Sequence, residues 1–378
     1  MESKRKRAVI YPYGVEFAPV VRHRKLLSDY ELSHLVSPKG WGIVGQDAGQ
    51  ADKGEEIGIT VEGDFVEAID NSDILIVADC NTDDNFKKKI ISNIDLAIQK
   101  GKDIICALTL DSDVLESIDS KCKENKLKFK YMKNTTIQLE YDRDNLLHIE
   151  TPIVFVAGLT ETTNKFEIQL SLREHLIKNG YNVSQIGSRS YCELMGFHSI
   201  PDFMCSNQIG EISKIVQFNR YVKEIELSEN PDIIIIGIPG GLMPFNKDLT
   251  NKFGVEAFLI SQAVSPDFTV ISVLYDDLQP KYFNMLSTSF KYKYGFNVDC
   301  FNMSTSQFDI VGSKELEKLC FNNFDAYTIN NIIKEKYYEC DIPIYNILSN
   351  NDSKMIYQLL INTLCEFSSR EQMSVGGL

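Results

Sequence analysis

Thr151-Pro-Ile-Val-Phe-Val-Ala-Gly158-Leu-Thr-Glu-Thr-Thr-Asn164-Lys165-Phe166 decides how this chain is read. Ile153 to Ala157 is an unbroken apolar run, the pattern of a strand covered on both faces. From Phe166 to Asn179 apolar residues recur at Phe166, Leu170 and Leu176/Ile177, and Gly180 follows, which predicts a helix and its stop. Between them lies a loop opened by Gly158 and closed by Lys165. A loop so placed turns backbone N–H groups and a helix N-terminus toward phosphate, while the lysine neutralises charge. The same residues also suit a plain strand-to-helix turn with a surface lysine, and both readings stand at this point.

The loop has five residues between Gly158 and Asn164. This spacing resembles the longer phosphate loop of dethiobiotin synthetase and cobyrinic-acid-synthase-like proteins. Asn164 stands in place of the second glycine, a position where asparagine tolerates left-handed backbone. Phe166 stands where that loop has a serine or threonine for magnesium. A second strand, Pro231-Asp-Ile-Ile-Ile-Ile-Gly-Ile-Pro-Gly-Gly241, keeps the turn that follows such strands but has Gly237 where the magnesium-side carboxylate is expected. Asp232 lies at the other end. Phosphoryl transfer relies on the metal to neutralise developing charge. The expectation is a degenerate P-loop-like pocket for an anion or nucleotide, with ATP or GTP as candidates, built from Gly158, Thr162, Thr163, Asn164, Lys165, Gly240 and Gly241. Efficient NTP hydrolysis is not expected, and no metal ligands are assigned. The alternative is an active NTP-dependent ligase or transferase of the dethiobiotin-synthetase-like class, acting on a peptide or carrier-bound substrate. For Gly237–Gly241, a tight turn under the sheet competes with ligand contact.

Working outward, buried strands are predicted at Ala8–Tyr11, Ser72–Asp79, Asp103–Leu108, Tyr181–Ile186, Asp232–Ile238 and Phe268–Leu274, with a helix at Phe86–Lys100. Continuous apolar strands alternating with helices favour parallel sheets. The fold class is α/β. A Rossmann-like parallel-sheet domain is expected over 1–148, and a P-loop-NTPase-like α/β domain over 149–378. That second domain carries a helical C-terminal extension, with helices near 313–336 and 352–369. The boundary is placed where the polar stretch Lys121–Asn145 runs into Thr151-Pro152, and Ser374–Leu378 reads as a loose tail.

Residues 187–205 follow a strand and hold Arg189, Cys192 and His198, the candidate catalytic residues. Arg189 could clamp a carboxylate or phosphate. Cys192, His198 and Cys205 could form a nucleophile–base pair or a metal site, or be a buried thiol and a hydrogen-bonded imidazole; their spacing matches no recognised set. This segment is expected to face the loop Gly158–Lys165 as one wall of a pocket. In the first domain, Ser37-Pro-Lys-Gly-Trp-Gly-Ile-Val-Gly-Gln-Asp-Ala-Gly49 carries four glycines and the chain's single tryptophan, and could bring backbone close to a ligand. No G-x-G-x-x-G follows a strand there, so dinucleotide binding is weakly supported. Arg22-His-Arg-Lys25 is a basic cluster, either a solvated face or an anion contact. Asp79 ends its strand as a ligand or a cap.

The chain has 378 residues, a net charge of −14 and nine cysteines. So acidic a chain is ill suited to nucleic acid or anionic membrane. No CxxC is present, and reduced thiols in a cytoplasmic protein are expected. No apolar run is long enough to span a bilayer. The basic start Met1–Arg7 leads straight into a strand, so no signal peptide is expected.

Six strings carry a family resemblance: Tyr11-Pro-Tyr-Gly14, Leu35-Val-Ser-Pro-Lys-Gly-Trp-Gly42, Thr163-Asn-Lys-Phe-Glu-Ile-Gln169, Ser184-Gln-Ile-Gly-Ser-Arg-Ser-Tyr-Cys-Glu193, Gly196-Phe-His-Ser-Ile-Pro-Asp-Phe203 and Gly237-Ile-Pro-Gly-Gly-Leu-Met-Pro-Phe-Asn246. The chain resembles the clostridial-type peptide maturation system proteins, encoded with Cys-rich, bacteriocin-like precursor peptides and a radical SAM maturase. The resemblance covers roughly residues 8–310. It implies an accessory or enzymatic role in maturing a ribosomally made peptide. The partners it implies are the precursor peptide, the maturase or an acyl-carrier-like protein. The Asn-Lys-Phe departure belongs to the family pattern itself.

Overall fold

A computed structural model describes residues 5–134, 136–137, 145–244, 247, 250–316 and 319–375. Parts of the expected 121–145 stretch (135 and 138–144), the end of the string at 245–246, residues 317–318 and the last three of the tail lie outside the described residues. The chain is an α/β protein of two compact units: Met1–Lys133 with Ser190–Gly196, and Asn134–Arg189 with Phe197–Leu378.

The first unit has five parallel strands, β1 (Lys6–Tyr11), β2 (Tyr30–Leu35), β3 (Ile74–Val77), β4 (Asp103–Cys106) and β5 (Phe129–Tyr131), in the order β2-β1-β3-β4-β5. Its helices are α1 (Ala18–Arg22), α2 (Phe65–Asp70), α3 (Asp84–Gln99) and α4 (Ser112–Glu124). Carboxylates start two of them: Asp64 accepts from Val66 and Glu67 N–H, and Asp83 from Phe86 N–H. The chain leaves β1 toward β2 on one side and leaves β3 toward β4 on the other. The carboxyl ends of β1 and β3 therefore flank the switch point where open sheets collect ligands.

The second unit begins with β6 (Ile153–Gly158), α5 (Lys165–Lys178), β7 (Val183–Gly187), β8 (His198–Ser199), α6 (Asp202–Cys205), α7 (Glu211–Glu229) and β9 (Ile233–Gly237). It continues with α8 (Val255–Ala263), β10 (Phe268–Val273), α9 (Pro280–Tyr294), β11 (Cys300–Met303), β12 (Ser306–Phe308), α10 (Ile310–Leu316), β13 (Phe321–Asn323), α11 (Ala326–Lys336), β14 (Ile344–Tyr345) and α12 (Asn350–Val375). Seven parallel strands lie in the order β14-β11-β10-β6-β9-β7-β8, and β12 and β13 form an antiparallel pair. The central strand β6 shows why its sequence is apolar throughout. Phe155 and Ala157 pack with Ile236, Phe218 and Leu259 on one face, while Val154 and Val156 pack with Ile168, Leu172 and Leu360 on the other.

Two expectations need adjusting. The compact units part at Lys133/Asn134 rather than 148/149, because residues 147–151 are already tied to α7: Leu147 N–H donates to Asn219 Oδ1 (2.7 Å), and Glu150 and Thr151 N–H both donate to Glu226 Oε1 (2.7 Å each). The helix expected near 313–336 is two helices. Phe321–Asn323 leaves the helical path to pair with Ser306–Phe308, and Asp325 then caps α11 by accepting from Thr328 N–H (2.8 Å).

Candidate functional site

The loop Gly158–Lys165 leaves the carboxyl end of β6, between β9 and β10. Thr162 and Asn164 both take left-handed backbone, each with φ of 60°. Left-handed steps between ordinary ones turn successive N–H groups to one side, the geometry of an anion-binding concavity. Asn164 is the residue before α5, caps nothing with its side chain, and leaves its Oδ1 buried with no partner. Gly158 has no room for a side chain: a Cβ there would lie 2.5 Å from Thr163 Oγ1 and 2.8 Å from Lys165 Cδ. The floor is hydrogen-bonded. Ser272 Oγ donates to the Thr163 carbonyl, and Asn302 Nδ2 donates to Ser272 Oγ (2.7 Å). Asn302 Oδ1 in turn accepts from Ile347 N–H (2.7 Å).

Lys165 Nζ donates to the carbonyl of Gly240, which has φ of 68°, and more weakly to that of Ile238 (3.4 Å). Leu242 N–H, past the same turn, donates to the Gly158 carbonyl (2.9 Å), and Gly241 between them is buried. Of the other six loop and turn residues named from sequence, Gly158 and Gly240 lie directly against this lysine. No described carboxylate forms an ion pair with it. Burial drives its ammonium down to about 8; Glu161 and Glu256 pull upward, and the Arg189 charge pushes it lower still.

Gln169, one turn into α5 and wholly buried, was not singled out by sequence reasoning. Its Nε2 donates to the Lys165 carbonyl (3.1 Å) and to Ser188 Oγ (3.2 Å), and its Oε1 accepts from Ser188 N–H (3.4 Å). This clamp joins the start of α5 to the residue before Arg189. It also accounts for Gly237: a Cβ at that strand end would collide with the Gln169 amide. The position where a metal-side carboxylate was expected is therefore filled by a neutral amide from the neighbouring helix. Phe166 is buried too, its ring centroid 6.4 Å from that of Phe197. Among the described residues, no group of three His, Cys, Asp or Glu side chains is arranged to hold a metal ion.

The segment 187–205 divides between the two units. Arg189 is half-buried and close enough for its charge to act on Lys165. Ser190–Gly196 belongs to the first unit, where Cys192 is buried and the Tyr191 ring packs at a tilt against Phe17, centroids 4.9 Å apart. His198 lies on the edge strand β8, with Nε2 2.5 Å from Glu229 Oε1 at the C-terminus of α7. The backbone of His198 pairs with Ile186 near the carboxyl end of β7, while its imidazole is held by Glu229, which also accepts from Ser184 Oγ. Cys205 is exposed, 3.8 Å from Asn134 Nδ2. In the first unit, Arg22 of the basic cluster is forked onto the buried Asp52 carboxylate at 2.7 and 2.9 Å. Asp79 raises the neighbouring Cys80 and Cys106 thiols, after burial has done most of that work.

Beside the loop, a cavity of about 280 Å³ opens at the carboxyl ends of β6 and β10, with Leu159, Thr160, Met243, Tyr275, Tyr282 and Phe308 in its lining. Its walls are mainly apolar and aromatic, the composition of pockets that hold organic ligands.

No protein-family model matches the chain, and no curated protein matches it. Among solved structures it is similar to a DUF1611 family protein from Anabaena variabilis, with 13% identity, a TM-score of 0.60, and coverage of 95% of this chain and 100% of that one. At that identity the likeness speaks to fold alone, and it does so over both units. An amine dehydrogenase from Mycobacterium smegmatis aligns at 16% identity over 34% of this chain and 40% of its own, with a TM-score of 0.27. A homoserine dehydrogenase from S. aureus aligns at 14% identity over 35% and 33%, with a TM-score of 0.24. Neither overlap carries an argument. Among the described residues, no helix is long and apolar enough to cross a membrane.

Proposed function

We propose that the second unit binds a phosphate-bearing organic anion, a nucleotide such as ATP or GTP, at Gly158–Lys165, without efficient metal-dependent hydrolysis. The observation that carries this reading is Lys165. It is a desolvated cation at a helix N-terminus with no described carboxylate paired to it, set beneath a loop with two left-handed residues. An unpaired cation in a poorly hydrated place is costly unless an anion joins it. Arg189 supplies a second positive charge at the same edge, which favours a ligand with more than one phosphate. The 280 Å³ cavity is placed to take the organic part. The Gln169 amide over Gly237 and the buried Phe166 argue against a protein-held magnesium.

Within the cell the proposed role is an accessory, ligand-gated one in maturing a ribosomal peptide, with precursor peptide, radical SAM maturase or acyl-carrier-like protein as partners. The support for that part is the run of sequence strings between residues 11 and 246. The active ligase or transferase reading has less support, since the Cys192 thiol is buried and His198 is engaged by Glu229. The test is calorimetric titration of ATP and GTP into wild type and Lys165→Ala, with and without magnesium, beside a phosphate-release assay. Binding that survives magnesium removal and weakens in the variant by about tenfold or more supports the reading. Rapid magnesium-dependent turnover, or no binding of either nucleotide, overturns it.

A further inference from the structure

The first unit has a cavity of its own, of about 460 Å³, within the range of sites that take one drug-sized molecule. It opens at the carboxyl end of β1 beside the switch point of the sheet. Trp41 and Phe86 form one wall, with ring centroids 5.5 Å apart and a tilt of 50°. The indole lies against Gly14, where a Cβ would come within 2.6 Å of its ring. Deeper in, Tyr11 is buried and hydrogen-bonded to Asn93, and both line the cavity. Lys39 and Lys89 also line it, both exposed and neither paired with a described carboxylate, in a chain of net charge −14. Ser37 lines it too: the residue is 1% exposed, and its hydroxyl is buried with no hydrogen-bond partner. Buried polar groups almost always find a partner, so an orphaned one in a cavity wall points to a group that arrives from outside.

The wall is built before any ligand comes. Asp47 accepts four backbone N–H bonds, from Gly49, Ile57, Gly58 and Ile59, at 2.8 to 3.2 Å. Ser37 N–H donates to the Glu62 carbonyl (3.0 Å), and Glu62 N–H to that of Leu35 (2.7 Å). The segment from Ser37 to Gly63 is thus stitched to itself and to β2, which holds the lining residues in place.

We infer that this cavity binds a planar ring carrying a carboxylate or phosphate: the ring lies along Trp41 and Phe86, the anionic group meets Lys39 and Lys89, and a polar ring atom bonds Ser37. All of the lining residues belong to the first unit, and the inference does not rest on the phosphate loop.

Trp41 is the chain's single tryptophan, so its emission reports this cavity directly. The full-length protein would be titrated with orotate (ring and carboxylate) and AMP (ring and phosphate). Uracil and adenosine supply rings without charge, and acetate and ribose 5-phosphate supply charge without a ring. The expected result is a saturable change in emission with at least one ring-bearing anion, and binding of the controls weaker by about tenfold or more. Which of the two anions binds separates carboxylate from phosphate recognition. Lys39→Ala with Lys89→Ala should weaken binding by a similar factor. Ser37→Ala should weaken it several-fold while leaving the urea midpoint of the ligand-free protein unchanged or higher, since no bond is lost there. Lys165→Ala should change nothing. The inference is overturned if neither anion alters the emission, if the uncharged rings bind equally well, if the double lysine variant binds like wild type, or if Lys165→Ala abolishes the signal.

Discussion

Nucleotide binding at Lys165 should consume protons near pH 8. In the ligand-free protein burial holds this ammonium down to about 8, so at that pH half of the molecules carry a neutral lysine. A phosphate placed beside it restores the charge, and the missing half-proton must come from solvent. The size of the effect follows from the fraction charged. It is about nine-tenths at pH 7 and one-tenth at pH 9, so affinity should fall roughly tenfold over that interval. The terminal phosphate is largely ionised by pH 8, and Glu161 within the loop and Glu256 in α8 are the acidic neighbours that act on the lysine. Magnesium-free ATP titrations at pH 8, in two buffers of different ionisation enthalpy, measure the uptake directly. About half a proton per site is expected for wild type and none for Lys165→Met. Tight binding with no proton uptake at pH 8 would refute the argument, because the phosphate would then be meeting some other group.

The same depressed value has a consequence for stability, and its sign is definite. Between about 8 and the unperturbed lysine value of 10.5, the unfolded chain holds the proton and the folded one does not. Stability then rises with pH across that window and is lost as pH falls back through about 8. The contribution between pH 7 and 10 is on the order of 2 kcal/mol. It should appear as a difference in pH slope between wild type and Lys165→Met in urea unfolding.

Other expectations follow from single contacts. Gly237→Ala pushes a methyl into the Gln169 amide and should cost about 1–3 kcal/mol in urea unfolding, with much of it recovered in the double variant Gly237→Ala/Gln169→Ala. Asn302→Leu leaves Ile347 N–H and Ser272 Oγ short of a partner and should cost about 1–3 kcal/mol, with weaker nucleotide binding because the floor under Thr163 loosens. Phe166→Thr should not create magnesium-dependent phosphate release, since the carboxylate expected at Gly237 would still be absent; measurable turnover in that variant would argue against this account. Burial raises Asp299 to about 6, with one bond from Thr269 N–H pulling the other way, so the folded protein binds the proton more tightly than the unfolded one and loses stability as pH rises from about 4 to 6. Asp299→Asn should therefore raise the melting temperature at pH 7 and do little at pH 4.

The parts of the fold legible in sequence are those whose cause is local. β3, β6 and β9 are covered on both faces and carry unbroken apolar runs, and that is visible in a single line of sequence. The helices after β3 and β6 are stopped at Gly101 and Gly180, both with left-handed φ, where glycine ends a helix at little cost. β2 escaped notice because it is an edge strand: Tyr30-Glu-Leu-Ser-His-Leu35 is half-exposed and gives no apolar run. β13 escaped for a different reason. Phe321–Asn323 has no strand pattern of its own, and its conformation is set by Ser306–Phe308, which no local signal announces.

The candidate site divides along the same line. The sequence names Gly158, Asn164 and Lys165 because the strand, turn and helix that hold them are contiguous. It does not name Gln169, whose partners Ser188 and Gly237 are far away in the chain, nor the pair Ser272 and Asn302 beneath Thr163. Yet Gln169 gives the missing carboxylate at Gly237 a physical reason. Read alone, glycine there is a lost ligand and the loop a damaged NTPase. Read with the buried amide above it, glycine is required for packing, and the same amide positions the residue before Arg189. A carboxylate side chain placed at 237 would have to expel Gln169 and release that clamp. Restoring metal-dependent chemistry would therefore take at least three coordinated changes, at positions 166, 169 and 237, while Lys165 and its carbonyl partners stayed in place. The residues around Lys165 are consistent with one another under the proposed reading of an anion site, and each separate step toward hydrolysis would disturb a contact that the present arrangement uses.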